Sequence, residues 1–214
     1  MSVSLRCYST SLGCPKNRVD TERLLGSLGV ALVPVESPDE AELVFINTCA
    51  FIQPATEESV RTIAQAIADI EELPRRPLLA GAGCLVGRYH AEDLAPELPE
   101  VDLWLDNSDL EAWPAMLARK LGLPEPTVPG RILSTGPSYA WLKISDGCRH
   151  ACSFCAIPNI RGGHRSHCKD MIVREARALL DQGVKELNLV AQDLTEWGCD
   201  LDGKQDLRTL LDGL

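Results

Sequence analysis

Short apolar runs and amphipathic stretches alternate along the amino-terminal half of the chain, and this alternation predicts four strand-then-helix units. The strands are predicted at residues 3–8, 43–47, 78–81 and 101–105. The helices that follow them are predicted at residues 19–28, 54–70, 86–94 and 108–121. Strands and helices that alternate over short links form parallel strands with helices packed on them, so the pattern predicts an α/β fold with an open parallel sheet.

Residues with special backbone preferences mark where several of these helices begin and end. Gly29 stops the first helix, Pro54 opens the second, and Pro74 forbids its continuation. Ser108, followed three residues later by Glu111, is typical of a capping box and predicts the start of the fourth helix.

A segment rich in proline and glycine at residues 122–137 predicts an extended linker. It separates a predicted amino-terminal domain at 1–121 from a second domain at 138–214. In the second domain the alternation of strands and helices resumes. A strand is predicted at residues 139–144, a helix at 170–182 that is closed by Gly183, and a strand at 186–191.

The composition is that of a folded globular protein, with 45% of the 214 residues hydrophobic and 24% charged. No apolar run reaches the length of a signal peptide or of a membrane span, so we expect a cytoplasmic protein without membrane association. The net charge of −10 argues against non-specific binding to nucleic acid phosphates. In a reducing compartment, the nine cysteines are interpreted as metal ligands or buried thiols and not as disulfides.

Cys148, Cys152 and Cys155 form the strongest chemical pattern in the sequence. Three thiolates this close together can hold three corners of a cubane iron–sulfur cluster, which leaves the fourth iron without a protein ligand. The alternatives are a zinc site, which normally takes four ligands in two separated pairs, or three unrelated buried thiols. His150 lies inside this loop and is interpreted as a residue that faces solvent or supports a ligand.

Cys14, Cys49 and Cys84 follow the first three predicted strands. In an open α/β sheet, ligands bind beyond the carboxyl ends of the strands, so these cysteines could converge on one point. Free cysteines are also common in protein cores, and the spacing alone leaves both interpretations open. Five further residues are interpreted as structural: Cys7, Cys168, Cys199, His90 and His164.

Four segments carry a resemblance to a known family. They are Ser-Leu-Gly-Cys-Pro-Lys-Asn at 11–17, Ile-Asn-Thr-Cys-Ala-Phe-Ile at 46–52, Gly-Cys-Leu at 83–85, and Leu-Lys-Ile-Ser-Asp-Gly-Cys at 142–148, followed by the other two loop cysteines. Together they resemble the methylthiotransferase family of the radical-SAM superfamily. The Cys-Pro-Lys-Asn segment is similar to the RimO-type branch, which modifies an aspartate of a small-subunit ribosomal protein. The tRNA-adenosine branch typically has Gln-Met-Asn after that cysteine.

The resemblance implies two four-iron four-sulfur clusters and S-adenosylmethionine as cofactors. Cys148, Cys152 and Cys155 would ligate the cluster that binds and cleaves S-adenosylmethionine. The amino-terminal triad would ligate an auxiliary cluster: Cys14, Cys49 and Cys84. Four further residues match family positions near S-adenosylmethionine: Phe154, which would lie against the adenine, Arg161, Gln192 and Asp193.

The activity implied by the resemblance is addition of a methylthio group to the β-carbon of an aspartate in a small-subunit ribosomal protein. An electron donor of flavodoxin or ferredoxin type is implied as a second partner. The family's radical-SAM domain is a partial barrel of several βα units followed by a small β-barrel, and residues 138–214 match only its first units. By this comparison the chain is a fragment, and we expect it to be inactive alone, because a radical needs an enclosed site.

Two alternative functions remain. One is the tRNA-adenosine enzyme of the same family, which Pro15, Lys16 and the net charge disfavour. The other is a non-catalytic iron–sulfur module.

One departure from the family pattern concerns its Arg-Ser-Arg stretch, which here ends in His167. A positive charge at that position requires protonation of the imidazole, so the role of His167 stays open.

Overall fold

The computed structural model describes residues 4–203 and 205–214. It divides into two compact units, the first ending at Ile132 and the second running from Leu133 to Leu214. The division lies inside the predicted linker at 122–137, and residues 122–138 form neither helix nor strand. Within the described residues, no helix combines the length and the apolar character needed to cross a bilayer.

A five-stranded sheet forms the centre of the first unit, and all of its paired strands are parallel. The strands are β1 (Ser4–Ser11), β2 (Ala31–Pro34), β3 (Leu43–Thr48), β4 (Leu78–Gly83) and β5 (Leu103–Asp106). Their order is β2-β1-β3-β4-β5, a doubly wound order whose switch point lies between β1 and β3. The predicted open parallel α/β sheet is confirmed.

Helices cover both faces of this sheet. They are α1 (Pro15–Ser27), α2 (Gln53–Ile70), α3 (Cys84–Tyr89), α4 (Ala91–Glu97) and α5 (Trp113–Leu121), with 3₁₀ turns at Pro38–Glu40 and Asn107–Asp109. Leu25 of α1 and Leu117 of α5 share one buried cluster with Phe45 of β3. Neighbouring side chains of a strand point to opposite faces, so Val44 and Ile46 belong to the other face. β3 is therefore buried on both sides, as expected for a central parallel strand.

Three details of the first unit differ from the sequence-based expectations. The sequence pattern does not predict β2, a short edge strand whose side chains are mostly exposed. The helix predicted at 86–94 is two helices, because His90 adopts a φ of 60° and separates α3 from α4. The predicted capping box is wrong. The Asp106 carboxylate accepts the Ser108 N–H, which produces a 3₁₀ turn, and α5 begins only at Trp113.

The first part of the predicted linker packs on α1. Arg131 forms an ion pair with Glu22 at 2.7 Å, and the two side chains are only 6% and 2% exposed. The Ile132 N–H donates to the Glu22 carbonyl at 3.1 Å. These contacts are long-range and explain why residues up to Ile132 belong to the first unit.

The second unit is built on two parallel strands, β6 (Tyr139–Lys143) and β9 (Glu186–Val190), with α7 (Lys169–Asp181) between them in sequence. Between β6 and α7 lie β7 (Ser145–Asp146), α6 (Ile157–Arg161) and β8 (Arg165–Ser166), and β7 pairs with β8 in antiparallel fashion. After β9 come a 3₁₀ turn at Leu194–Glu196 and α8 (Leu207–Leu211). The predicted strand, helix and strand of this unit are confirmed.

One buried cluster holds the second unit together. Leu142 of β6, Ile172 and Leu179 of α7, and Trp197 all belong to it, and each is almost fully buried. The Trp197 indole N–H donates to the His167 carbonyl at 3.0 Å, so the largest side chain of this core also satisfies its polar group.

We predict that Gly83→Ala destabilises the first unit by about 3 kcal/mol or more. Gly83 has a φ of +95°, and a Cβ there would lie 2.6 Å from the Thr48 carbonyl and overlap the Asn47 amide oxygen. Gly122→Ala is the matched control, because Gly122 has a φ of +68° with nothing within 4 Å of a Cβ, and should cost about 1 kcal/mol. Denaturant unfolding measures both, and equal losses would contradict the close packing at Gly83.

Candidate functional site

The three amino-terminal cysteines lie at the carboxyl ends of adjacent strands. Cys14 follows β1 and precedes α1, Cys49 follows β3, and Cys84 is the first residue of α3 after β4. Because β1, β3 and β4 are parallel neighbours, their carboxyl ends share one edge of the sheet. Cys49 and Cys84 are buried and Cys14 is half-buried.

Direct contacts connect the segments that carry these cysteines. A Cβ on Gly13 would lie 2.7 Å from the Cys49 sulfur, so the segment before Cys14 packs directly against Cys49. The Asn17 amide donates to the carbonyls of Leu12, at 2.9 Å, and Thr48, at 2.7 Å. The Asn17 Oδ1 also lies 3.8 Å from the Cys84 sulfur. One buried asparagine thus joins the loops after β1, β3 and β4.

The position of Cys49 is fixed by its backbone. Its N–H donates to the Ser59 hydroxyl at 3.0 Å, and that hydroxyl donates to the Cys49 carbonyl at 2.7 Å. Ser59 lies on α2 and is fully buried. These two bonds engage the backbone N–H and carbonyl of Cys49 and leave its thiol as the functional group that they do not involve.

Two further asparagines at this edge are missed by the sequence reasoning. Asn107, just after β5, has its amide nitrogen 3.8 Å from the Cys84 sulfur, and Asn47 donates to the Asn17 carbonyl at 2.9 Å. The Oδ1 atoms of Asn47 and Asn107 are buried and have no hydrogen-bond partner among the described residues. Buried amide oxygens normally have a partner, so these mark a place that another group could complete. Their position directly at strand ends is the sequence signal that could have indicated them.

The second cysteine triad lies on the segment between β7 and β8, which we call the cysteine loop (residues 147–164). Cys148 and Cys155 are half-buried and Cys152 is exposed. The Cys155 N–H donates to the Cys152 carbonyl at 3.0 Å, which makes a tight turn between these two residues. Phe154, within that turn, is 88% exposed. An apolar ring so exposed is available to lie against a flat apolar group.

Three charged side chains lie buried at the base of the cysteine loop. The Asp146 carboxylate accepts from the Lys143 ammonium at 3.0 Å and from the Arg161 guanidinium at 3.0 and 2.9 Å. Burial alone would raise the pKa of Asp146, but the charges of Lys143 and Arg161 hold it well below its usual range. Arg161 is thus bound to Asp146, with only 1% of its side chain exposed.

The end of β9 lies beside this loop. Gln192 donates to Asp146 at 3.4 Å, and its other amide atom, Oε1, is buried without a partner among the described residues. Asp193 lies 3.2 Å from the His150 ring nitrogen. Hydrogen bonds from Thr195 hold the pKa of Asp193 below its usual value. His150 therefore connects the cysteine loop to the strand end, and the predicted residues Gln192 and Asp193 lie there.

The other cysteines and the histidines belong to neither triad. Cys7 is inside β1, where burial raises the pKa of its thiol to about 12, so it stays protonated. Cys168 is exposed at the start of α7. Within the described part of the chain, two groups of three possible ligand atoms lie close enough for a single metal ion, and neither includes a cysteine of the two triads. They are His164, Cys199 and Asp200, and His150, Asp193 and Glu196.

The donor set at each triad fits an iron–sulfur cluster. Soft thiolates are the ligands that such clusters take, and a cubane holds each of three cysteines at a separate corner. At the strand-end triad, the Asn107 amide nitrogen lies 3.8 Å from the Cys84 sulfur, where an N–H can donate to a thiolate ligand. At the cysteine loop, the buried Gln192 oxygen without a described partner lies at the adjoining strand end.

Comparisons with known proteins find a family model and several relatives that are similar to this chain. Residues 6–106 match the model of the Uncharacterized protein family UPF0004. The chain is 67% identical, over 97% of its length, to "Ribosomal protein uS12 methylthiotransferase RimO" of Nitratidesulfovibrio vulgaris (strain DP4), of which it covers 48%. It is 58% identical over its whole length to the protein of the same name from Lawsonia intracellularis, of which it covers 49%. The chain thus spans about half the length of the curated relatives it matches.

The solved structures that resemble the chain indicate its fold. A radical S-adenosylmethionine methyltransferase, TsrM, from Kitasatospora setae with tryptophan substrate and a SAM analog bound superimposes with a TM-score of 0.58 at 12% identity. The match covers 90% of this chain and 48% of that one. At this identity the likeness concerns the fold alone. The sequence similarity carries further, because it relates nearly the whole chain to relatives that are named as methylthiotransferases.

Proposed function

We propose that this chain carries the cluster-binding part of a radical-SAM methylthiotransferase that modifies an aspartate of ribosomal protein uS12. The observation that carries the proposal is the pair of cysteine triads, one at three adjacent strand ends and one on a loop at a βα strand end. They occur in a chain that is 67% identical to a relative of that name. We further propose action in the cytoplasm, with a flavodoxin or ferredoxin type protein as electron donor.

In this proposal, Cys148, Cys152 and Cys155 ligate one four-iron four-sulfur cluster and leave one iron open for S-adenosylmethionine. Cys14, Cys49 and Cys84 ligate the auxiliary cluster. When bound, the two clusters and S-adenosylmethionine supply the electron, the adenosyl radical, the sulfur and the methyl group of the reaction. The protein holds its thiolates in place, presents polar groups to the cofactor and restricts access of water.

The other residues of the site have different roles in the proposal. Phe154 provides an exposed ring for the adenine. Gln192 offers a buried amide oxygen without a described partner, and Asp193 a carboxylate of lowered pKa, both suited to a cationic amino group. Arg161 contributes to the cofactor site indirectly. Its guanidinium faces Asp146, so it acts from the base of the loop.

The auxiliary site is protected better than the loop site. Cys49 and Cys84 are buried beneath the strand ends, whereas Cys152 is exposed. Burial suits a cluster that is held for its sulfur, and an open loop suits a cluster that must meet a cofactor.

We predict about eight irons per chain after anaerobic reconstitution, since each triad suits a four-iron cluster. Replacing Cys14, Cys49 and Cys84 with alanine should leave about four, and so should replacing the three loop cysteines. Cys168→Ala, which removes an exposed cysteine outside both triads, should change nothing. Iron and acid-labile sulfide are counted in all four proteins. Full iron in either triple variant would refute that site.

Reductive cleavage of S-adenosylmethionine should depend on Cys152 and not on Cys199, although both thiols are exposed. The test protein is this chain fused to the carboxyl-terminal half of the Nitratidesulfovibrio vulgaris relative. Cys152→Ala should abolish formation of 5′-deoxyadenosine, because it removes a cluster ligand. Cys199→Ala should leave it nearly unchanged. Similar losses in the two variants would contradict the assignment of ligands.

Substrate choice is tested directly with the same fusion protein. We predict a methylthio group on an aspartate of ribosomal protein uS12, detected by mass spectrometry, and no modification of tRNA adenosine. The variant lacking Cys14, Cys49 and Cys84 should give no methylthiolated product, because no auxiliary sulfur source remains. Modified tRNA with unmodified uS12 would favour the other branch of the family.

A further inference from the structure

We propose that Asp146 is the positioning residue of the cysteine loop: it clamps the two ends of the loop together and fixes them to the end of β9. The consequence for S-adenosylmethionine rests on the proposed function, while the clamp itself is a property of the chain without cofactors.

The carboxylate of Asp146 collects donors from four places. Lys143 ends β6, Arg161 ends α6 beyond the last loop cysteine, and Gln192 follows β9. The fourth donor is the N–H of Gly147, at 2.9 Å, in the residue directly before Cys148. One side chain therefore binds the entry of the loop, its exit helix and the neighbouring strand end. Bonds between charged partners are the stronger kind, and burial of all three charges strengthens them further.

The backbone at the base of the loop is equally tight. Gly147 has a φ of +69°, and a Cβ there would lie 2.7 Å from the Gly162 carbonyl and overlap that of Gly163. The Cys148 N–H donates to the Gly162 carbonyl at 3.1 Å. The residue that bears the first ligand is thus bonded to the far end of its own loop.

The surrounding secondary structure is too small to close the loop without this clamp. β7 and β8 pair over only two residues on each strand, Ser145 with Ser166 and Asp146 with Arg165. Two-stranded pairs of this length are not stable by themselves. The buried carboxylate therefore adds the side-chain bonds that, with the Cys148–Gly162 backbone bond, hold the loop ends together.

Positioning follows from this geometry. The three loop cysteines can ligate iron wherever the loop lies, because ligation needs only the thiolates. The place of that iron relative to Gln192 and Asp193 depends on the base of the loop, which Asp146 joins to the β9 end. Loss of the clamp should therefore spare iron binding and weaken the binding of S-adenosylmethionine.

The first test measures amide hydrogen exchange by NMR in the reduced chain without iron. Asp146→Asn should speed exchange at the Gly147 and Cys148 amides at least about tenfold, and leave the α7 amides of Ile172 and Leu179 unchanged. Asp181→Asn is the control, because it removes a carboxylate of the same unit from an exposed helix end. Unchanged exchange at the Gly147 and Cys148 amides would overturn the clamp.

The second test uses the fusion protein with reconstituted clusters. Asp146→Asn should keep its iron, but the S-adenosylmethionine concentration that half-saturates the change in the electron paramagnetic resonance spectrum should rise at least about tenfold. Faster exchange together with an unaltered response to S-adenosylmethionine would overturn the positioning role. If the unmodified fusion protein shows no response at all, the proposed function fails, and the exchange experiment alone decides the clamp.

A milder variant guards against loss of the fold. Asp146→Asn leaves two buried cations without their anion, and faster exchange in α7 would show that the unit has unfolded. In that case Arg161→Lys replaces it in the exchange and S-adenosylmethionine experiments. This variant keeps the positive charge at 161 and the negative charge at 146, and removes only the planar guanidinium that reaches both carboxylate oxygens.

Discussion

The parallel register of the amino-terminal sheet is the constraint on which the rest of the auxiliary site depends. Parallel strands place all of their carboxyl ends at one edge of the sheet. The residues that follow neighbouring strands are therefore close together even if their side chains make no contacts. β1, β3 and β4 are consecutive in the sheet, and each is followed by a cysteine. Burial of β3 on both faces makes that register costly to change, because a slip of one residue would exchange the side chains of the two faces.

The two triads obtain their positions by different physical means. The strand-end cysteines are set by the sheet and refined by Asn17, which reaches the loops of three strands. The loop cysteines have little such support above the base of their loop, and the buried charges around Asp146 replace it. The first arrangement gives a buried site and the second an open one. That difference matches the roles proposed for them, a held sulfur source and a site for an exchangeable cofactor.

Local sequence patterns were sufficient for much of this account. The central strands, α1, α2 and α7 follow from their hydrophobic periods, since a buried face leaves a regular trace in the sequence. β2 leaves little trace because its side chains are mostly exposed. The break at His90 is not visible, because a non-glycine residue with a φ of 60° carries no fixed sequence signature. The Ser108 capping box failed because Asp106, two residues earlier, competes for the same N–H.

The candidate sites show the same limit. Spacing and family resemblance predict all six cysteines as ligands, but they do not predict the residues that surround these cysteines. Asn107 meets Cys84 across 23 positions of the sequence, and Gln192 meets Asp146 across 46. Contacts of this range depend on the packed fold. Arg161 shows the consequence, since its motif indicates the cofactor site and only the structure shows its bond with Asp146.

The central claim is that two separate iron–sulfur clusters occupy the two cysteine triads. Diffraction from crystals of the anaerobically reconstituted chain, recorded at the iron absorption edge, tests it most directly because anomalous scattering locates iron independently of any assignment. The account predicts two compact iron peaks, one bounded by Cys14, Cys49 and Cys84 and the other by Cys148, Cys152 and Cys155. A single peak, or iron at His164, Cys199 and Asp200, would contradict it.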